Sequence, residues 1–401
     1  MVIIILLFSL LLFIGYAALI IYYRYCWIEI QDYKVEEKKI EILPGSNTFK
    51  PIYSTKITLI IPARNEAKNI GNCLQSIIAQ TYPAHLFEVI VVDDHSTDGT
   101  AMIVQSFKRE NIQCIFLKDF VTDKLNSYKK KAIEIAIAKS TGDLIVTTDA
   151  DCFMGVDWLL TIASFYEKFK PAFIAAPVLI NHNKSFLSIF QSLDFMTLQG
   201  ITGAAVYKKM HCMCNGANLA YEKKAFIEVG GFIGIDNIAS GDDMLLMHKI
   251  YDRYPDKVLF LKSAEAIVQT APMETIKGFI NQRIRWASKA EKYNDKRILP
   301  VLVLVYFFNV VLLALPLLAI FYTQKLLIGG NTYSIIDCWL LLLILKTMVE
   351  IFYLFPVAKF FNKPFILWWF PLAQPFHILY TIIAGWLGKF GTYQWKDRKV
   401  K

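Results

Sequence analysis

Residues 89–98 read Val89-Ile90-Val91-Val92-Asp93-Asp94-His95-Ser96-Thr97-Asp98, an apolar run that ends in a cluster of carboxylates. A second run, Leu144-Ile145-Val146-Thr147-Thr148, leads in the same way into Asp149-Ala150-Asp151. Short runs of β-branched residues with polar residues at their ends are typical of buried strands. In an open parallel sheet, ligands bind beyond the carboxyl ends of the strands. The two stretches therefore predict a ligand site at one edge of such a sheet.

The segments on either side of these strands extend the same pattern. Four strands are predicted in all, at Thr58–Ile61, Phe87–Val92, Cys114–Leu117 and Leu144–Thr147, with amphipathic helices at Asn69–Gln80 and Lys131–Lys139. Strands that alternate with helices at this spacing favour an α/β fold with a mostly parallel sheet covered on both faces. We predict that this domain comprises residues 56–270.

The composition outside that domain is typical of a membrane protein. Hydrophobic residues make up 55% of the 401 residues and charged residues only 19%, which excludes a disordered chain and argues against a wholly soluble one. Val2–Tyr23 is an uncharged apolar run long enough to cross a bilayer. We therefore predict an uncleaved anchor at residues 1–23 and a linker at residues 24–55. Basic residues beyond the anchor favour a cytoplasmic location for the following domain.

Further membrane helices are predicted within residues 300–388. Two spans are predicted at Val301–Tyr322 and Ile335–Phe355, and Phe365–Leu387 is a third candidate that contains two prolines. Three spans after a cytoplasmic domain would place the basic tail, residues 389–401, outside, against the usual bias of positive charge. We therefore expect two or three spans, with the proline-containing segment broken, re-entrant or interfacial and the tail in the cytoplasm. In the second span Lys346 and Glu350 share a helical face and can pair.

The pair Asp149 and Asp151 suits a hard divalent cation. Mg²⁺ and Mn²⁺ prefer oxygen ligands and commonly use one or two carboxylates together with substrate phosphates. The alternative is a pair of solvated or helix-capping aspartates. The net charge of +9 suits a membrane surface or phosphate-bearing ligands. Nucleic acid is a poor candidate, since Lys129–Lys131 is too short for a binding stripe and is by default a solvated helix start.

Two further clusters follow. Ser240-Gly241-Asp242-Asp243 precedes a predicted helix, where either acid could be a helix cap. Gln282, Arg285 and Trp286 fall on one face of a predicted helix within residues 271–299. An Arg on such a face can bind diphosphate oxygens and a Trp can stack on a sugar. A basic amphipathic helix at the membrane surface is the other interpretation, and both can hold for the same helix.

Together these clusters resemble the membrane-bound inverting glycosyltransferases with a GT-A fold, the family of cellulose, chitin and hyaluronan synthases and ceramide glucosyltransferases. The resemblance covers about residues 56–286. It implies a Rossmann-like, mostly parallel catalytic domain flanked by transmembrane helices, and it implies residue roles as follows. The nucleotide sugar would be bound by Pro62, Ala63, Arg64, Glu66, Asp94, Lys129 and Asp149, and Mg²⁺ or Mn²⁺ would be bound by Asp149 and Asp151. The acceptor would be bound by Asn215, Gly216, Asn218 and Asp242. The catalytic residues would be Asp243, Gln282, Arg285 and Trp286.

Two positions depart from that family. Arg64 stands where an aromatic residue is frequent, and Asp242 stands where Glu is usual. The acceptor-side resemblance also includes Gly230-Gly231-Phe232. Of the three neighbouring lysines, Lys129 aligns best with a basic residue that faces the phosphates.

The resemblance implies a membrane-bound transferase, facing the cytoplasm from the cell membrane, that moves a sugar from a nucleoside diphosphate donor such as a UDP-sugar to a lipid or glycan hydroxyl. Asp243 would act as base, one displacement would invert the anomeric carbon, and the metal would assist. The alternatives are a processive polysaccharide synthase and, further off, a membrane protein that binds a sugar nucleotide without catalysis.

Overall fold

The computed structural model describes residues 2–36, 53–121, 125–238, 241–289, 295–322, 326–328, 331–390, 393–395 and 398–400. Half of the predicted linker, residue Ser240 and the side chains of most of the basic tail lie outside these residues. The helices are α1 Val2–Glu29, α2 Ile70–Ile78, α3 Thr100–Ser106, α4 Tyr128–Lys139, α5 Trp158–Phe169, α6 Phe186–Tyr207, α7 Lys223–Glu228, α8 Met244–Arg253, α9 Ile276–Ala287, α10 Ile298–Phe321, α11 Ile335–Phe360 and α12 Phe370–Phe390. The strands are β1 Ile57–Ala63, β2 Phe87–Asp93, β3 Ile112–Phe116, β4 Leu144–Thr147, β5 Cys152–Met154, β6 Phe173–Ala175, β7 Val178–Ile180, β8 Leu219–Glu222, β9 Val258–Phe260, β10 Val268–Thr270, β11 Leu326–Ile328, β12 Asn331–Tyr333, β13 Tyr393–Trp395 and β14 Arg398–Val400.

The chain divides into two compact units. One comprises Gln31–Leu179 and Cys212–Ala271, and we call it the sheet unit. The other comprises Met1–Ile30, Ile180–His211 and Pro272–Lys401, and we call it the helical unit. Helix α6 thus belongs to the helical unit, although the sequence placed it within a single domain of residues 56–270. Helix α6 is buried on all of its faces, with 16 of its 22 residues buried. It therefore lacks the exposed polar face that a helix covering a sheet would have.

The sheet unit is built on a seven-stranded sheet in the order β3-β2-β1-β4-β8-β6-β9. Neighbouring strands are parallel except that β8 runs antiparallel to both β4 and β6. The predicted α/β class with a mostly parallel sheet is confirmed. A smaller sheet has the order β5-β10-β7.

Buried strands and amphipathic helices form the core of the sheet unit. Six of the seven residues of β1 are buried, and so are six of the seven in β2, as expected for central strands covered on both faces. Helix α2 buries Ile70, Cys73, Leu74 and Ile77, a spacing of three and four residues that forms one apolar stripe.

Among the residues that the structure describes, the helical unit contains four helices long and apolar enough to cross a membrane: Ile3–Glu29, Ile298–Phe321, Ile335–Phe360 and Pro364–Phe390. The first extends six residues beyond the predicted end, and Arg24 within it donates from Nε to the carbonyl oxygen of Phe352 at 2.9 Å. Helix α12 continues through Pro375, so it is not broken at that proline, and a re-entrant or interfacial location of the segment stays a prediction. A 3₁₀ helix, Pro364–Trp369, precedes it.

Buried polar side chains link the helices of this unit. The Nζ atom of Lys346 lies 2.7 Å from Oε1 of Glu350, which confirms the predicted pair within α11. The same Nζ donates to Oε1 of Gln374 on α12 at 2.7 Å, and Tyr16 on α1 donates to Glu350. Polar groups removed from water need such partners, so these contacts bind three helices to one another.

Candidate active site

The carboxyl ends of β1, β2 and β4 meet at one edge of the large sheet. Parallel pairing sets Ala63 opposite Asp93, and the backbone N–H of Asp94 donates to the carbonyl oxygen of Ala63 at 2.7 Å. Strand β4 pairs with β1 on its other side, so the residues that follow it reach the same edge. The parallel register therefore brings Arg64, Asp94 and Asp149 to one side of the sheet unit, as the sequence predicted.

Arg64 and Asp94 are in contact. Nη1 of Arg64 donates to the carbonyl oxygen of Asp94 at 2.9 Å and lies 3.9 Å from its Oδ1. Nδ1 of His95 lies 3.0 Å from the same Oδ1. The carboxylate of Asp94 is 5% exposed, so two nitrogen-bearing side chains surround an almost buried acid.

A network of short polar contacts fixes the turn after β1. The N–H of Glu66 donates to Oγ1 of Thr100 at 2.8 Å, and the N–H of Ala67 donates to Oδ2 of Asp98 at 3.0 Å. Burial acts to raise the pKa of Asp98, but the hydrogen bonds from Thr100 and Ala67 outweigh it and lower the pKa. Pro62 and Ala63 lie within β1, beneath this turn, where their main chain pairs with β2.

Lys129 joins two acids that are distant in sequence. Its Nζ lies 2.7 Å from Oδ1 of Asp149 and 3.1 Å from Oδ2 of Asp242. Burial acts to lower the pKa of Lys129, but the charges of Asp149, Asp242 and Asp243 outweigh it and raise the pKa above its usual range. Lys129 is therefore a permanent cation amid three carboxylates.

The structure distinguishes Lys129 from its two neighbours. Lys130 is 1% exposed, and its Nζ donates to the carbonyl oxygens of Ile235 and Ile238 at 2.6 and 2.8 Å. Lys131 is 41% exposed and pairs with Glu134 on its own helix. Of the three, only Lys131 fits the solvated helix start that is the default interpretation of such a run.

Asp243 is the N-cap of α8. Its Oδ1 accepts from the N–H of Met244 at 2.7 Å, and its Oδ2 accepts from the N–H of Gly216 at 3.1 Å. Asp242, for which the sequence left capping open, faces Lys129 instead. The two N–H donors hold the carboxylate of Asp243 in one orientation next to the cluster of Lys129.

In the loop after residue 214, the backbone at Gly216 lies close to Lys129 and Asp242, and the side chain of Asn215 stabilises the turn. A methyl group added at Gly216 would lie 3.3 Å from Nζ of Lys129 and 3.4 Å from Oδ2 of Asp242, so the chain passes directly over the cluster. Oδ1 of Asn215 accepts from the N–H of Ala217 at 2.9 Å, which tightens the turn.

Asn218 has a different position in that loop. It is fully buried, and its amide donates to the carbonyl oxygens of Pro177 and Ala266 and accepts from Nε1 of Trp158. Its hydrogen-bonding groups are thus used within the core. Asn218 therefore holds the base of the loop, and its assignment to the acceptor side stays a prediction.

The donor groups near Asp149 and Asp151 fit a hard divalent cation. Asp149 already binds an ammonium group, which shows that its carboxylate attracts a cation. Burial raises the pKa of the Cys73 thiol, and the charges of Asp151 and Asp149 raise it further. The same causes, in the same order, raise the pKa of Cys152. Carboxylate oxygens are the donors that a hard divalent cation prefers, and Asp149 and Asp151 supply them.

The terminal motif lies on α9, in the helical unit. Oε1 of Gln282 accepts from Nη1 of Arg283 at 2.6 Å, and the guanidinium of Arg283 lies 4.2 Å from the ring centroid of Trp286. Arg283 in turn donates from Nη2 to Oδ2 of Asp194 on α6 at 2.7 Å. Arg285 lies on the same helix and is half-buried. Sequence reasoning missed Arg283 and Asp194, because no local pattern links residues 89 positions apart.

Residues 58–230 match the model of Glycosyl transferase family 2. The match covers less than half of the 401 residues, and we call the matched stretch the glycosyltransferase domain after that model. It contains β1 to β8 and, between these strands, Arg64, Asp94, Lys129, Asp149 and Gly216.

Relatives of the glycosyltransferase domain occur in several microorganisms. The chain is 29% identical over 238 residues to the probable glycosyltransferase YdaM of Bacillus subtilis, which covers 58% of this chain and 54% of that protein. It is 25% identical over 236 residues to poly-beta-1,6-N-acetyl-D-glucosamine synthase of Staphylococcus aureus, covering 58% and 53%. The chain thus matches about half the length of these relatives.

One solved structure has the same fold over nearly the whole chain. It is the mannosyltransferase PcManGT from Pyrobaculum calidifontis in complex with GDP-Man and Mn²⁺, with a TM-score of 0.54 and 19% identity. The match covers 94% of this chain and 98% of that one. The glycosyltransferase domain has the GT-A fold, and the four long apolar helices flank it in sequence.

Proposed function

We propose that the chain is a membrane-bound, inverting glycosyltransferase that moves a sugar from a nucleoside diphosphate donor, such as a UDP-sugar, to a hydroxyl group of a lipid or glycan. The observation that carries this proposal is the orientation of Asp243. Its carboxylate is held by the N–H groups of Gly216 and Met244 beside the Lys129 cluster, at the ligand-binding edge of the sheet.

Asp243 is proposed as the general base. An acceptor hydroxyl is a weak nucleophile, and a carboxylate within hydrogen-bonding reach can remove its proton as it attacks the anomeric carbon. The hydroxyl oxygen forms the new bond, the diphosphate leaves from the opposite face, and the configuration inverts in one displacement. Fixing the carboxylate in advance lowers the entropy cost of reaching that arrangement.

The leaving diphosphate gains negative charge, which a cation beside it would stabilise. Lys129 is a fixed cation at the sheet edge, and we propose that it faces the phosphates. Asp149 and Asp151 would hold Mg²⁺ or Mn²⁺, which would supply further charge stabilisation when bound. We propose that Arg64, Glu66 and Asp94 contact the nucleoside. The resemblance assigns Gln282, Arg285 and Trp286 to the same reaction.

Two acceptor classes remain as candidates. A lipid or short glycan that receives one sugar, as in the ceramide glucosyltransferases that the sequence resembles, is the class we propose. The similarity to the Staphylococcus aureus poly-beta-1,6-N-acetyl-D-glucosamine synthase favours the second class, a growing polysaccharide.

The test is nucleotide release by the purified full chain in detergent, with a panel of nucleotide sugars, Mg²⁺ or Mn²⁺, and membrane lipid as acceptor. Asp243→Asn should lower kcat by roughly 10²- to 10⁴-fold, because the amide cannot accept the proton. Asp252→Asn is the matched control, since Asp252 is exposed on the same helix, and it should keep wild-type turnover.

The outcomes separate the alternatives. Release that a chelator abolishes and added Mn²⁺ restores supports the metal site. Product that extracts into organic solvent identifies a lipid acceptor, whereas retained high-mass product identifies a polysaccharide. Nucleotide binding without release under any condition contradicts the proposal and favours a binding protein.

A further inference from the structure

Two lysines from different helices bind one loop next to the candidate site. The loop comprises residues 230–238, and we call it the brace loop. Nζ of Lys249 donates to the carbonyl oxygens of Gly231 and Ile233 at 2.6 and 2.9 Å. Nζ of Lys130 donates to those of Ile235 and Ile238 at 2.6 and 2.8 Å. Each half of the brace loop is thus bound to a different helix.

The contact made by Lys130 is a buried one. The residue is 1% exposed, although a buried ammonium group loses its hydration at a large cost in free energy. Well-formed hydrogen bonds from the ammonium to carbonyl oxygens offset that cost and are stronger than bonds between neutral groups. Removing Nζ would leave the carbonyl oxygens of Ile235 and Ile238 without this donor, so the second half of the loop depends on it.

The backbone of the brace loop is suited to a tight path. Gly231 and Gly234 have φ values of +50° and +83°, which favour glycine. A methyl group at Gly231 would lie 2.7 Å from the ring of Phe226. The loop therefore closes against α7 and presents its carbonyl oxygens to the two lysines in a defined geometry.

The helices that the loop connects carry the site. Helix α4 bears Lys129 immediately before Lys130, and α8 begins at the cap residue Asp243, six residues before Lys249. Nζ of Lys129 must reach across to Oδ2 of Asp242, a contact of 3.1 Å. Any change in the separation of α4 and α8 would alter this contact and the position of Asp243.

We propose that Lys130 and Lys249 are positioning residues that, through the brace loop, fix the separation of α4 and α8 and thereby the geometry of Lys129, Asp242 and Asp243. This inference rests on the proposed function for its catalytic consequence. Neither lysine touches the reacting groups; both act through the backbone that they hold.

The matched set of variants is Lys130→Met, Lys130→Arg, Lys249→Met and, as control, Lys131→Met. Lys131 is the next residue on the same helix, is 41% exposed and pairs only with Glu134 among the contacts described above. Nucleotide release by the purified full chain gives kcat and the donor KM for each. Because a displacement of about 1 Å can cost 10²-fold in rate, Lys130→Met should lower kcat about ten- to hundredfold.

The donor KM should rise in Lys130→Met as kcat falls, because Lys129, which we propose faces the donor phosphates, would move with α4. Lys130→Arg should recover part of kcat, since a guanidinium can also donate to two carbonyl oxygens. Lys131→Met should match the wild type. Loss of activity that only follows the loss of folded protein, with kcat per folded molecule unchanged, would overturn the proposal.

Hydrogen exchange gives a second measurement that needs no turnover. The N–H groups of Gly216 and Met244 donate to Asp243, so peptides that contain them report its placement. Faster exchange in Lys130→Met and Lys249→Met than in Lys131→Met is expected, and equal exchange would overturn the proposal. If the wild type shows no turnover, the proposed function fails, yet this comparison still decides the positioning role. Should Lys130→Met not fold, Lys130→Arg and Lys249→Met carry the same test.

Discussion

Cys114 is a half-buried residue of β3, and the pKa of its thiol is raised. Burial and, after it, the charge of Asp93 raise its pKa to about 11. The thiolate is the reactive form, so at pH 8 its fraction should be about a hundredfold smaller than for a thiol of ordinary pKa. The folded state holds this proton more tightly than the unfolded chain, so the thiol contributes stability below pH 9 that is lost as the pH rises towards 11.

The rate of Cys114 alkylation should therefore keep rising about tenfold per pH unit between pH 8 and 10.5. Mass spectrometry of iodoacetamide-treated protein measures that rate, and the same peptide in urea-unfolded protein is the control. In the control the rate should level off near the ordinary thiol pKa. A folded-state rate that levels off at the same pH as the control would contradict the assigned environment.

The strand-end acids and the three consecutive lysines differ in how far the sequence predicts their surroundings. The acids at the strand ends could be predicted, because each follows directly on a buried run. The separate environments of Lys129, Lys130 and Lys131 could not, since consecutive residues on a helix point about 100° apart and tertiary contacts decide which face is buried. The assignment of Lys129 among the three agrees with its contact to Asp149, while its role at the phosphates stays a prediction.

At the scale of elements, the ion pair between α6 and α9 is a second buried contact of a charged group, besides that of Lys130 with the brace loop. The side chains of Asp194 and Arg283 are 4% and 3% exposed, and Tyr380 on α12 also donates to Asp194. Asp194→Ala would leave a buried guanidinium without its partner. Changes of this kind cost about 3–5 kcal/mol, so a large fall in thermal stability is expected.

Thermal unfolding in detergent, followed by tryptophan fluorescence, tests this expectation. The control is Glu29→Ala in the same unit, because Glu29 and Lys208 form an ion pair with side chains that are 51% and 35% exposed. Exposed pairs contribute at most about 1 kcal/mol. Similar unfolding temperatures for the two variants would show that the Asp194 contact does not stabilise the helical unit.

The elements themselves follow from local sequence to different degrees. The strand at Leu144–Thr147 was predicted with its observed bounds, because four buried residues with polar neighbours leave little choice. Helix α4 begins three residues earlier than predicted. Its first turn contains Lys129 and Lys130, whose tertiary contacts are not visible in the local sequence. The placement of α6 in the helical unit could not be read from the sequence, because its partner Arg283 lies 89 residues away.

For the whole molecule, the side of the basic tail is a testable prediction. The described structure has four helices of spanning length, with α12 continuous through Pro375. Positive charge favours the cytoplasm, and the tail carries Lys389, Lys396, Arg398, Lys399 and Lys401. We expect the tail and the glycosyltransferase domain to be cytoplasmic, with α12 lying at the interface.

Cysteine labelling from either side of sealed vesicles measures this, with one added cysteine in the tail and one in the glycosyltransferase domain. Labelling of both sites from the same side is the expected result. Labelling from opposite sides would mean that α10, α11 and α12 all cross the bilayer.

The polar contacts of Lys346 have a consequence for how the chain is made. A lysine in the middle of an apolar helix costs about 2.5–3.5 kcal/mol to insert, and Glu350 offsets only part of this within the same helix. Gln374, the second partner of Lys346, is synthesised 28 residues later. Until α12 is made, the ammonium group of Lys346 lacks this hydrogen-bond acceptor within the lipid. A chain cut short before α12 is therefore expected to be removed by membrane proteolysis rather than to persist as a smaller enzyme.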